Sequence, residues 1–166
     1  MGVKWTTTKN DFPSMERTLK GLNGRKVNVG CLEGSHAWLA AIHEYGCKIP
    51  VTPKMRAYLH YNGLHLSPET TTIVIPERSF LRTGYDENID KVLNKTDALL
   101  SDVLAGRMSE ETFLKAVGIT LSSEIKDYAR DLNKPANHPF TVARKGSDNP
   151  LWDTGQMIGG ITYEIE

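Results

Sequence analysis

From Asp86 to Leu132 apolar residues recur at helical spacing with a single break, and this stretch constrains the fold more than any other. Ile89, Val92, Leu93, Thr96, Leu99, Leu100 and Val103 form one stripe, which Gly106 closes. Ser109, with Glu110 and Glu111 behind it, opens a second helix carrying Phe113, Val117, Leu121, Ile125, Tyr128 and Leu132 on one side. Pro135 lies beyond its end. Such stripes are packing seams that must be buried against another element. The two helices either fold back as an antiparallel pair or continue one another through the break at Gly106.

The flanking segments are shorter. Residues 1–12 are polar and aperiodic, which predicts a flexible arm or an edge strand. Pro13–Leu22 reads as a short helix, and Asn23-Gly24 as a turn into a half-buried strand over Arg25–Leu32, where Val27, Val29 and Cys31 alternate. Ser35 can cap a helix from His36 to Tyr45, with Leu39 and Ile42 on one face and Gly46 as its stop. Lys48–Pro53 must be extended, because each proline pushes its predecessor out of the helical region. Lys54–Tyr61 suits a short helix or a strand, and β-branched Thr70–Ile75 predicts a strand stopped by Pro76. After Pro139 the pattern predicts a strand over Phe140–Ala143 and a polar loop over Arg144–Asn149. A turn capped by Asp153 or Thr154 and a last strand over Ile161–Ile165 follow. The expected whole is one α+β domain spanning 1–166, a small and mostly antiparallel sheet packed against a long helical region.

The chain's 166 residues can bury roughly 70% of their unfolded surface, enough for a core without disulfides or metal. Lys and Arg number 20, as do Asp and Glu, so the formal net charge is zero. That balance argues against a chain built to grip nucleic acid or an anionic membrane. No apolar run approaches the ~20 residues that span a bilayer. The N-terminus lacks an apolar signal core, so export is not expected; Gly2 with Thr6 touches the short myristoylation pattern.

Candidate chemistry thins out on inspection. Cys31, His36, His43 and Cys47 suggest zinc, yet only one of their intervals matches the usual ligand spacing. Two free thiols in or near the core are the simpler reading. His43-Glu44 is not part of an H-E-x-x-H helix, because position 47 is Cys. His60, His65 and His138 have no matched acid or nucleophile. Asp153-Thr154-Gly155 resembles the active-site turn of aspartic proteases, but only eleven residues follow it and no second copy occurs. Gly155, Gly159 and Gly160 lack the lysine and long helix of a phosphate loop. The residues point to a non-enzymatic interaction domain without a cofactor.

Three segments carry a family resemblance. Ile42-His43-Glu44-Tyr45-Gly46 with Ile49-Pro50 resembles the "hE(Y/F)G…IP" signature of tailed-bacteriophage neck and tail-completion proteins. Ile75-Pro76-Glu77-Arg78-Ser79-Phe80-Leu81-Arg82 is similar to their "IPxRPFLR" segment. Asn149-Pro150-Leu151-Trp152-Asp153-Thr154-Gly155-Gln156-Met157, with Ile161-Thr162-Tyr163, is similar to their C-terminal "PLxDTGxLxxSI.Y". Order and spacing agree over about residues 36–165, while Ser79 and Gly160 depart from the usual Pro and Ser.

The resemblance implies a non-catalytic subunit of a ring, a hexamer in expectation, at the head–tail junction of a virion assembled in the host cytoplasm. Its partners would be further copies of itself, a head-closure or connector protein, and a tail-tube or tail-terminator protein. Genomic DNA would pass through its lumen without specific binding. A tail terminator or minor head protein is the neighbouring reading, and a small zinc-dependent enzyme the rival from another class. Arg78 and Arg82 can pair with carboxylates of a neighbouring subunit while Phe80 and Leu81 anchor the loop in apolar pockets; the alternative makes the arginines solvated and Phe80 plain core. Glu44, Tyr45, Gly46 and Pro50 then mark a helix end and loop, and Pro76, Asp153, Thr154 and Gly155 are structural turns. The polar loops at Ser67–Glu69 and Arg144–Asn149 are candidates for docking to adjacent rings or lining the lumen. Two patches meeting head to tail would let charges cancel within one chain.

Overall fold

A computed structural model describes residues 11–32 and 34–166. Its centre is a helical hairpin of α4 (Arg82–Leu104) and α5 (Glu110–Asp131). Gly106, at φ 72°, turns the chain back after α4, and the Ser109 hydroxyl accepts the Thr112 N–H at 3.1 Å to start α5. The helices are therefore antiparallel, not continuous. Gly84 of α4 lies against the Tyr128 ring of α5, and Glu124 of α5 takes Lys91 and Lys95 of α4 at 2.5 and 2.6 Å. Those lysine hydrogen bonds hold the Glu124 carboxyl below its ordinary range, although the residue is almost wholly buried. The expected stripe is buried or half-buried apart from Leu93, which faces outward.

The remaining elements frame this hairpin. They are α1 (Phe12–Leu22), β1 (Val27–Gly30), α2 (Gly34–Tyr45), β2 (Cys47–Pro50), α3 (Pro53–Tyr61) and β3 (Thr72–Ile75), then α6 (Pro139–Lys145), α7 (Gln156–Gly159) and β4 (Thr162–Ile165). The α+β expectation holds, but the strands make two separate antiparallel ribbons and not one sheet. β1 pairs with β4, Val29 opposite Tyr163, and lies on α5. Tyr163 covers Gly118 so closely that a Cβ there would overlap its ring. β2 pairs with β3, Lys48 opposite Val74, and α3 joins them. Thr52 caps α3 by accepting the Met55 N–H at 3.1 Å, so Lys54–Tyr61 is helix, not strand.

Phe80, Val92, Leu121, Ile125, Ala129, Leu151, Met157, Ile158, Ile161 and Ala40 form the core. Phe80 is fully buried, a burial worth about 1.5–3 kcal/mol. Cys31 packs half-buried against this cluster, and Cys47 is half-buried in β2.

Three further expectations need correction. Phe140–Ala143 is helical, within α6. Pro139 occupies the first helical turn, His138 Nδ1 accepts the Phe140 N–H at 3.2 Å, and Gly146 closes the helix at φ 69°. Local capping at both ends outweighs the strand preference of four residues. Arg144 and Lys145 consequently belong to that helix, leaving a shorter loop before Asn149. Finally, α2 begins at Gly34, so Ser35 lies inside the helix it was expected to cap. Residues 1–10, with most of the expected arm and the Gly2–Thr6 pattern, lie outside the described residues; Phe12 already begins α1.

Candidate functional site

Glu44 stands in the last turn of α2, which Gly46 ends at φ 72°. A Cβ on Gly46 would sit 2.9 Å from both the Ile75 oxygen and the Glu77 nitrogen, so only glycine lets β2 leave beside β3. That exit sets the Glu44 side chain against the first turn of α4. Its Oε2 accepts the Leu81 N–H at 2.8 Å. Its Oε1 accepts the Arg82 N–H at 3.0 Å, the Arg82 Nε–H at 2.9 Å and the Ser79 hydroxyl at 3.0 Å. The helix has no side-chain cap of its own, because Leu81 holds the N-cap position. Glu44 therefore caps it from another segment, its negative charge on the positive end of the helix dipole. Only 2% of the residue is exposed.

Arg82 closes the same unit from outside. Its Nη2 donates to the Glu44 carbonyl at 3.1 Å and to Glu77 Oε1 at 2.7 Å, and its guanidinium lies 4.7 Å from the Tyr45 ring centroid. The two carboxylates raise its pKa.

Arg78 is buried, and among the described residues no carboxylate pairs with it. Its Nε donates to the Pro135 carbonyl at 2.8 Å, and Nη2 donates to the Ala136 carbonyl at 3.3 Å and to Asn137 Oδ1 at 3.1 Å. Nη1 lies 3.3 Å from His43 Nδ1, and the Arg78 backbone N–H donates to the His43 carbonyl at 2.7 Å. Since arginine only donates, the His43 Nδ1 must accept, which requires a neutral ring with its proton on Nε2. Burial, then the charges of Arg78 and Lys145, push the His43 pKa down to about 4.

Asn137 passes the network to the third segment by donating to the Asn149 carbonyl at 3.4 Å. Asn149 Oδ1 accepts the N–H groups of Leu151 and Trp152 at 3.0 and 2.9 Å, and its Nδ2 donates to the Arg130 carbonyl at 2.6 Å. Lys145 Nζ donates to the Asn149 carbonyl at 2.6 Å. Beyond it, Gly155 holds φ 79° with the Trp152 ring against its Cα and serves as the N-cap of α7. Thr154 Oγ1 accepts the Gln156 N–H at 3.4 Å, while Asp153 is exposed, so glycine geometry rather than the aspartate makes this turn. A cleft of about 410 Å³ opens here, with His36, His43, Lys145, Asp153, Thr154 and Gln156 among its lining residues.

The three distant segments thus meet in one hydrogen-bonded unit. Arg82 finds its carboxylates within its own chain, Arg78 meets backbone and amide oxygens, Phe80 fills the core and Leu81 packs against it. Pro76 follows β3 and Pro50 ends β2. Among the described residues no three His, Cys, Asp or Glu side chains come together as metal ligands, and Cys31, His36, His43 and Cys47 form no such group. The Cys31 thiol is pushed up by burial and donates to the Met157 carbonyl at 3.4 Å, a poor setting for a nucleophile. Asn137 and Glu124 escape sequence reasoning, as do the capping role of His138 and the bridging role of Asn149, although Asn149 stands in a resembling segment and carries a local turn signal before Pro150. No protein-family model, curated protein or solved structure matches this chain.

Proposed function

We propose that this chain is a structural virion protein of a tailed phage or prophage, a neck or tail-completion subunit. It assembles as a ring at the head–tail junction, joins a head-closure or connector protein to the tail, and leaves a channel through which DNA passes unbound. The observation that carries this reading is Glu44 bound to Ser79, Leu81 and Arg82. Two of the three resembling segments are the two halves of one contact, and Arg78 ties both to the third through Asn137 and Asn149. Segments related only by chance have no reason to be physical partners. The polar groups of these segments are spent on holding a rigid scaffold, which suits an adaptor more than a catalyst.

Negative-stain microscopy and native mass measurement of the purified protein test the proposal, alone and with tail-tube and head-closure proteins. Closed rings, formed by itself or on addition of either partner, are the expected result. A strict monomer indifferent to both partners overturns it. Tight duplex binding in moderate salt would contradict the unbound passage of DNA.

A further inference from the structure

Resting on the ring reading, we infer that the β2–α3–β3 arm of one copy docks on the outer face of α4 in a second copy. The arm makes no extensive contact with the other elements; its outer end meets α6, where Arg144 donates to Asn62 at 3.5 Å. Lys54, Tyr58 and Tyr61 stand four and three residues apart on α3 and so share one face, all exposed, Tyr61 at 90%. Lys48 and Val74, cross-strand partners on the ribbon, are exposed as well. Over residues 47–75 the arm carries Lys48, Lys54 and Arg56 against the single carboxylate Glu69, and since Arg56 is spent on the Leu66, Ser67 and Thr70 carbonyls, Lys48 and Lys54 are the cations it offers.

The complementary surface is α4. Asp86, Asp90, Leu93 and Asp97 recur at helical spacing along its exposed side, with Tyr85 and Glu87 beside them. The cations of α4 are already engaged, Lys91 and Lys95 on Glu124 and Arg82 on Glu44 and Glu77. Among the described residues Asp86, Glu87, Asp90 and Asp97 have no ion-pair partner, and Lys48 and Lys54 have none either. Asp86 and Asp90, one turn apart, repel each other until a cation approaches. Next to them opens a groove of about 560 Å³ whose lining is mostly apolar, with Val29, Leu81, Tyr85, Leu121 and Ile125 able to take a tyrosine ring, and whose polar lining is Asn28, Asp86 and the already paired Arg82. The arm of the same molecule meets α6 and makes no extensive contact with α4, which leaves this face for the ring and the cations of a second copy. The contact joins two different patches, so it propagates head to tail, and rings close when the rotation permits.

Sedimentation velocity over a concentration series decides the matter, on the full chain alone and with tail-tube and head-closure proteins. The variants are Tyr61→Ala, Lys54→Glu, Asp90→Lys and the double Lys54→Glu/Asp90→Lys, each checked for fold by circular dichroism. Tyr61→Ala and either single charge reversal should weaken self-association about tenfold or more, and the double reversal should restore much of it. If Tyr61→Ala perturbs the fold, the charge reversals, which touch no packed side chain, carry the test. Undiminished rings in the folded single variants would overturn the docking surface and leave the neck reading standing. Loss of tail-tube binding with self-association intact would assign the arm to that partner and overturn the inference. A wild-type chain that never associates overturns both.

Discussion

The Glu44 carboxylate and the Arg82 peptide N–H are joined at 3.0 Å, so a residue in α2 caps a helix that starts 38 positions later. The same carboxylate holds the Arg82 side chain at 2.9 Å, and the Leu81 N–H completes the set at 2.8 Å. Backbone donors that α4 cannot satisfy locally are thereby taken out of water without loss.

Glu44→Ala should therefore be among the most damaging single changes, costing about 3–5 kcal/mol in urea unfolding. The Leu81 and Arg82 donors lose their acceptor together, and the start of α4 frays. Glu44→Gln keeps one acceptor oxygen but no charge, and should lose roughly half as much. A cost below about 1 kcal/mol for the alanine variant would contradict the capping role.

Arg78→Lys should behave almost like a deletion. A lysine ammonium is a point donor and cannot reach Pro135, Ala136 and Asn137 in the fork geometry that the guanidinium uses. The expected loss is about 2 kcal/mol or more, with faster amide exchange in the 147–152 turn held through Asn137 and Asn149. Unchanged melting and exchange would show that this fork is dispensable.

His43 makes stability depend on pH. Its unfolded pKa is near 6.5 and its folded pKa about 4, so protons bind the unfolded chain more readily. The contribution is complete above about pH 6.5 and disappears as the pH falls toward 4, at roughly 1–2 kcal/mol after allowance for partial exposure. Urea midpoints measured from pH 7.5 to 4.5 should show the decline, and His43→Gln, which keeps an acceptor for Arg78, should flatten it.

Gly118→Ala should destabilise the fold although alanine is the better helix former by about 1 kcal/mol. The added methyl meets the Tyr163 ring of β4, and displacing that ring disturbs the β1–β4 ribbon. We expect a net loss of about 1–3 kcal/mol by thermal unfolding. A gain in stability would mean that Tyr163 moves aside freely.

How legible each feature was in the sequence depends on how local its cause is. The α4–α5 pair was readable because periodicity, Ser109 as a cap and Gly106 as a stop all act within a few residues. Phe140–Ala143 misled, because its β-branched and aromatic content speaks for a strand while the capping that decides lies outside it, in His138 and Gly146. The resembling segments were visible as patterns, but Arg78 and Arg82 look alike there. Only the fold separates them, burying Arg78 among carbonyls and leaving Arg82 half-exposed between two carboxylates.

By itself, then, the sequence determined an α+β chain with two long amphipathic helices, where most of its helices stop, and a charge balance of zero. Those properties follow from backbone chemistry and composition, which are carried residue by residue. Tertiary structure alone decided that the two long helices turn back on each other, that β1 pairs with β4 and β2 with β3, and that Glu44 rather than a neighbour of Leu81 caps α4. It also decided which charges on the arm and on α4 have no ion-pair partner among the described residues. A buried polar group takes whatever partner the packing of apolar surfaces brings within 3 Å or so, and that proximity is a property of space, not of sequence order.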